Sequence, residues 1–248
     1  MRAQSFAFFL LAAVLAHGQT TNQAFAPRAE AAFVRAQKNF AAHPADASAA
    51  IELGRATYNW ALLATNSSQR AAIAQTGIAA CQHLLARDPK SAAGHYYLAI
   101  DFGELAEAEA PSVAAYKLIK EIEREFKTAA ELDESCDFGG PARCLGLLYR
   151  DAPGWPVSIG SKRKAREFLE RAAALAPDSP ENQLNLAESS VRWRDAAAAE
   201  KHLKELAAIW PAAKTRLAGE SWEPDWDDWT TRRAAVAAEF QKTFKRAP

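Results

Sequence analysis

Leu175-Ala-Pro177-Asp-Ser-Pro-Glu-Asn-Gln-Leu-Asn-Leu186-Ala187 contains the end of one helix and the opening of the next. Pro177 closes the first, because the residue before a proline avoids the helical region. Leu186-Ala187 then begins a fresh apolar pattern at helical spacing. The same punctuation returns at Trp210-Pro211, and Pro177 to Pro211 is a spacing of 34 residues.

Further copies lie upstream at His43-Pro44 and Asp88-Pro89. The 34-residue period is that of tetratricopeptide arrays, in which each repeat is a helical hairpin. With Pro211 as anchor, Leu186-Ala187 takes the paired large-small positions of the first helix, and Ala199 and Leu203 the packing positions of the second. With Pro177 as anchor, Ala165, Leu169 and Ala172 fall on those second-helix positions. Leu145-Gly146-x-x-Tyr149 is the first-helix match, displaced seven residues upstream. Leu53-Gly54 and Tyr97-Leu98-Ala99 are looser copies. Small residues let antiparallel helices approach, Leu or Tyr fills the groove, and neighbouring pairs stack to bury a face none can bury alone.

The predicted fold is all-α: tetratricopeptide-like stacked helical hairpins forming an α-α superhelix, with about ten helices. They are expected near residues 28–42, 46–64, 68–86, 91–108, 112–133, 140–150, 161–176, 180–192, 195–209 and 228–245. Phe33, Ala36 and Phe40 share a face after Pro27. Val113, Tyr116, Ile119, Ile122, Phe126 and Ala129 make the clearest stripe. Trp229, Val236, Phe240 and Phe244 mark a last helix that caps the array.

Thirty basic and thirty acidic residues cancel, so the 248-residue chain has no net field to attract nucleic acid or an anionic surface at long range. Arg2, the apolar run from Phe6 to Ala16 and the small residues around Ala16-His17-Gly18 read as a secretory signal peptide over residues 1–18. Residues 19–27 are expected to be a flexible N-terminus and 28–248 a single repeat domain. No later stretch is apolar enough to span a bilayer, and no Cys follows the apolar run as a lipid-attachment box would require. The expected location is periplasmic. No nucleophile elbow, zinc-protease motif, phosphate loop or C-x-x-C is present, so the expectation is a binding protein with no metal, no cofactor and no catalytic residues.

Cys136 and Cys144 flank a Gly-Gly-Pro stretch and are read either as a disulfide, favoured by export, or as two buried free thiols. Cys81 reads as core filling. Arg150 to Ser161 is an expanded hairpin connection, whose Trp155 packs either onto the scaffold or onto a ligand. Lys162, Arg163, Lys164 and Arg166 follow it, and are either a solvated basic face or a dock for a carboxylate. Trp222, Trp226 and Trp229 are either interface anchors or packing for the terminal helix. Asp225, Asp227 and Asp228 lack the pattern of a calcium loop. Glu104, Glu107 and Glu109 read as a solvated helix face, and His43, His83, His95 and His202 as isolated residues.

Asp137-Phe-Gly-Gly-Pro-Ala-Arg-Cys-Leu-Gly-Leu-Leu-Tyr149, Ala152-Pro-Gly-Trp-Pro-Val-Ser-Ile-Gly160, Lys164-Ala165 and Leu175-Ala-Pro-Asp-Ser-Pro-Glu-Asn182 together resemble one family. It is the T component (TatT) of tripartite ATP-independent periplasmic (TRAP) transporters, with a weaker match back to His95-Tyr-Tyr-Leu-Ala99. The resemblance implies a periplasmic repeat protein that works beside a TRAP substrate-binding protein. It also implies a homotrimer whose repeats line a cleft or pore for a small hydrophobic or carboxylate ligand. The candidate ligand- or partner-binding residues are then Tyr96, Tyr97, Arg143, Tyr149, Trp155, Lys162 and Arg163. The alternative is a generic exported scaffold that gathers envelope proteins.

Overall fold

The computed structural model describes residues 23–245. The expected signal peptide and residues 19–22 of the expected flexible N-terminus lie outside the described residues, while 23–27 form a 3-10 turn running into the first helix. Ten α-helices follow one another: α1 Ala26–Ala42, α2 Ala47–Ala61, α3 Ser67–Leu85, α4 Ala92–Glu109, α5 Val113–Leu132, α6 Cys136–Asp151, α7 Lys162–Leu175, α8 Pro180–Arg192, α9 Ala196–Arg216 and α10 Glu223–Phe244. Among the described residues there is no strand, and no helix is long and apolar enough to cross a membrane. The chain is all-α and built of stacked helical hairpins.

Local chemistry sets most boundaries. Asp46, Asn66, Ser91, Ser112, Ser161, Ser179 and Asp195 each accept a backbone N–H of the helix they open. Each such cap contributes about 1 kcal/mol, which keeps the inter-helix connections short and fixed. Pro177, Pro89 and Pro44 lie just beyond helix ends, as predicted.

Pro211 does not. It sits inside α9, which runs on to Arg216 instead of ending near residue 209. Trp210, Ala213 and Leu217 beyond the predicted stop pack inward, the outer two against α10, and that burial outweighs the hydrogen bond the proline removes. The start of α10 also moves, from near 228 to Glu223. Pro224 occupies its first turn, where a missing N–H costs nothing.

The small residues do what the repeat pattern predicts. A Cβ on Gly146 of α6 would lie 2.7 Å from Cγ of Leu169 in α7, and one on Gly54 of α2 would lie 2.9 Å from Sγ of Cys81 in α3. Around these close approaches runs a core that includes Tyr96, Ile119, Ile122, Phe126, Leu145, Leu148 and Tyr149. A second cluster joins α8 and α9 to α10 through Leu184, Leu206, Trp229, Val236 and Phe240. Ile119, Ile122, Phe126 and Ala129 of the α5 stripe are buried and Tyr116 partly so, but Val113 at its head is 75 % exposed.

The array closes on itself. Arg28 of α1 donates from Nη2 to Glu223 Oε2 of α10 at 2.8 Å, with Glu220 at 4.0 Å from the same guanidinium. The first and last helices are thus tied across the mouth of the superhelix.

Between Ser135 and Gly140 the chain makes a left-handed turn. Asp137, Phe138 and Gly139 have φ of 49°, 57° and 76° before regular helix begins. Two of these are not glycine, a conformation that costs roughly 1–2 kcal/mol per residue, so the turn persists because its surroundings hold it. The favoured disulfide is corrected here: Cys136 and Cys144 are both free thiols. The stretch between them is this turn running into helix, not an open loop, and Cys144 is turned into the core.

Candidate functional site

The first helices of the hairpins, α2, α4, α6 and α8, converge on one interior. Tyr58 of α2 demonstrates it: burial raises its hydroxyl pKa well above the usual value, and Glu104 of α4, Cys144 of α6 and Glu181 of α8 push the same way, with Arg143 opposing. One side chain therefore senses four successive hairpins, and α10 caps the same space.

Arg143 is the hub. Its Nη2 donates to Asp137 Oδ2 at 2.8 Å and to Tyr96 Oη at 3.2 Å, while Nη1 donates to the Asp137 carbonyl at 3.2 Å and Asn182 Oδ1 at 3.3 Å. Tyr96 donates to Asp137 Oδ2 at 2.6 Å, and Asn182 Nδ2 donates to the Phe138 carbonyl at 2.9 Å. This network holds the left-handed turn. Burial alone would lower the Arg143 pKa, but Tyr96 and Asp137 outweigh it and raise it well above the ordinary value. Tyr97 packs edge-on to Tyr96 with ring centres 5.1 Å apart. Burial, then Asp137, raises its hydroxyl pKa too. Neither the Tyr58 nor the Tyr97 hydroxyl has a hydrogen-bond partner among the described residues, so both are available to an occupant.

The far wall is acidic. Arg232 of α10, 3 % exposed, is gripped by Glu181, Asn185 and Glu188 of α8 and by Asp228 one turn away. On the same helix Asp225 is raised to about 7 by burial and by the charges of Glu181 and Asp137. Asp228 is raised to about 7, first by burial. The tryptophans resolve as packing: Trp226 lies edge-on to Trp210 and Trp229 at 5.1 and 5.0 Å, and Trp222 meets Phe138 at 6.1 Å.

The residues predicted from sequence divide into three places. Tyr96, Tyr97 and Arg143 come together in the cleft. Tyr149 does not join them, since six residues along a helix of 3.6 per turn put it on the other side of α6. There it donates to Glu123 Oε1 at 2.5 Å, under the Lys164 ammonium at 4.8 Å. Trp155, Lys162 and Arg163 lie at the outer edge of the array. Trp155 is 88 % exposed and packs on no ring among the described residues, so the scaffold-packing reading is corrected. Lys162 sits over Trp193 at 5.7 Å, and Arg163 pairs with Glu167 one turn on, exposed as a solvated face is.

A second correction concerns the acids of α4. Glu109 is exposed, but Asp101 and Glu104 are fully buried. Burial raises Glu104 to about 8, with Arg70 opposing, and raises Asp101 well above the ordinary range. Glu107 pairs with Arg70. The available signal was their setting, in Leu98-Ala-Ile-Asp-Phe-Gly-Glu-Leu-Ala106: two acids inside an apolar run. Tyr58, Asp137, Asn182 and Asp225 were missed because no local pattern marks them. Among the described residues no group of three or more His, Cys, Asp or Glu is arranged to hold a metal ion.

No protein-family model matches the chain, and no curated protein is significantly similar to it. The chemistry of the cleft therefore carries the functional reading.

Proposed function

We propose that this chain is an exported ligand-holding accessory protein of the TRAP T-component type, which retains a small molecule in the cleft and works beside a periplasmic substrate-binding protein. The observation that carries the reading is the Arg28–Glu223 pair joining the two ends of the array, together with the unpaired hydroxyls of Tyr58 and Tyr97 on the inner helices beside Arg143. An enclosed site with an apolar, aromatic lining and few free polar groups is what small-molecule binding asks for. An open scaffold for extended partners would be poorly served by a groove whose two ends are tied together.

The cleft also refines the ligand. Arg143 is engaged by Asp137, and Arg232 by Glu181, Glu188 and Asp228, so neither of these cations is left to receive a carboxylate. A small, largely apolar molecule with a neutral hydrogen-bonding head fits better. Binding, without a covalent step, is the activity on this reading, and the trimer remains part of it.

Native mass spectrometry of the mature protein tests this directly. The expected result is a retained adduct in a trimer, lost or weakened at least about tenfold when Tyr58→Phe and Tyr97→Phe remove two hydrogen bonds of about 1 kcal/mol each. A bare polypeptide that takes up no member of a panel of small apolar and carboxylate compounds would overturn it.

A further inference from the structure

The three most exposed large apolar side chains are Trp155 at 88 %, Val113 at 75 % and Val157 at 61 %. They are not scattered. Val113 opens α5 directly after the α4–α5 connection, and Trp155 and Val157 stand in the α6–α7 connection. In an up-down array these connections lie at the same end. Ile159, at the base of the second, packs against the same core cluster that holds Ala106, Ala115 and Ile119 of the first hairpin.

The Trp155 loop is a built projection. Gly160 N donates to the Pro153 carbonyl at 2.8 Å and Ser161 N to the Tyr149 carbonyl at 2.8 Å, closing its neck. Pro153 and Pro156 stiffen it, and residues 154–157 are all exposed. A Cβ on Gly160 would fall 2.0 Å from the Ala152 carbonyl oxygen, so the neck admits no larger residue. A fixed neck under an exposed indole presents the ring outward.

Cations stand at the same end of the array. Lys117 lies one turn into α5, Lys162 begins α7, and Arg194 stands in the α8–α9 connection at the same end. All three are exposed and none forms an ion pair among the described residues, whereas Arg163 and Arg166 are paired with Glu167 and Asp195. The exposed carboxylate nearest in sequence to this edge's apolar residues is Glu109. Three unpaired cations thus stand with the exposed Glu109 at this end, on a chain of zero net charge.

We infer that this edge docks onto an anionic phospholipid surface, with Trp155 and Val157 inserted at the headgroup level and Lys117, Lys162 and Arg194 over lipid phosphates. Trp favours that interface because it is apolar in body and polar at its N–H, and each nearby Lys or Arg adds electrostatic attraction. A second copy of the chain fits less well. The convex tip offers on the order of 300 Å², against about 800 Å² per partner in a standard protein interface.

The test is sedimentation of the full mature chain with vesicles of phosphatidylcholine, with and without phosphatidylglycerol. Tryptophan quenching by brominated lipid is read in parallel. The wild type should bind the anionic vesicles, weaken with salt, and lose at least about tenfold in affinity in Trp155→Asp. Lys162→Gln should lose about fivefold, the factor for one cation near such a surface. Trp155 is 88 % exposed, so Trp155→Asp should keep the wild-type circular dichroism and Tm, and Val34→Asp on α1 should bind as the wild type does. Absence of binding to any vesicle, equal binding to neutral and anionic vesicles, or undiminished binding by Trp155→Asp would each overturn the inference. So would self-association of the lipid-free protein that Trp155→Asp abolishes, which would assign the edge to a second copy.

Discussion

Arg28 and Glu223, 195 residues apart, meet at 2.8 Å across the mouth of the cleft. Both are substantially exposed, at 41 % and 56 % of their side-chain surfaces, so the pair contributes little to stability, about 0–1 kcal/mol. Its effect lies elsewhere: it joins the first helix of the array to the last. Arg28→Glu should leave Tm within a few degrees of wild type, while small-angle scattering shows a larger radius of gyration and a bound ligand dissociates faster. Combining Arg28→Glu with Glu223→Arg should restore both. A single variant indistinguishable from wild type in scattering and in ligand release would count against the latch.

Arg143 has the opposite balance. It is 12 % exposed and its removal leaves Asp137 without its cation and the left-handed turn without two donors. Arg143→Met should destabilise the chain by about 3–5 kcal/mol in chemical denaturation. Arg143→Lys should recover little, because one ammonium cannot reproduce a planar fork reaching Asp137, Tyr96 and Asn182 together.

Glu104 makes stability depend on pH. Its pKa is raised from 4.5 unfolded to about 8 folded. Below about 4.5 both states hold the proton and the group adds no pH dependence. As pH rises, the unfolded chain releases the proton first, so native stability declines from about 4.5 until it levels off above about 8. The full gap corresponds to roughly 5 kcal/mol. Glu104→Gln, which copies the protonated shape, should remove much of that slope and be relatively more stable at pH 9 than at pH 5. Parallel urea titrations of the two proteins across that range measure the difference.

Gly146 has no room for a methyl group, since its Cβ would press on Cγ of Leu169 at 2.7 Å. Gly146→Ala gains helix propensity of up to about 1 kcal/mol but should lose about 1–3 kcal/mol to overpacking. The expected net effect is a lower midpoint in denaturation. Gly146→Ala together with Leu169→Val should be less destabilised than the sum of the single changes.

The cysteines should react as three free thiols once the chain is unfolded. In the native state Cys136, half-buried, should alkylate first. Burial raises Cys136 to about 11 and Cys144 to about 12, so both should be slow at neutral pH. An intact mass 2 Da below the reduced value would show that a disulfide forms after all.

The sequence by itself determined the stack of helical hairpins. Its signals are local: prolines after helix ends, Ser, Asp and Asn at helix starts, and small residues at 34-residue intervals act through neighbouring backbone and nearest packing. Where the reading failed, the deciding partner was distant in the chain. Pro211 stays helical because α10 packs beside it, and the acids of α4 are buried because α2 and α3 cover them. Tyr149 parts from Arg143 because they occupy different sides of one helix. Which residues share the cleft was decided only by tertiary structure, since Tyr58, Tyr97, Arg143 and Asp225 come from four helices and no periodicity links them. The latch between Arg28 and Glu223 is the extreme case: two ordinary surface residues become neighbours through the summed curvature of every hairpin between them.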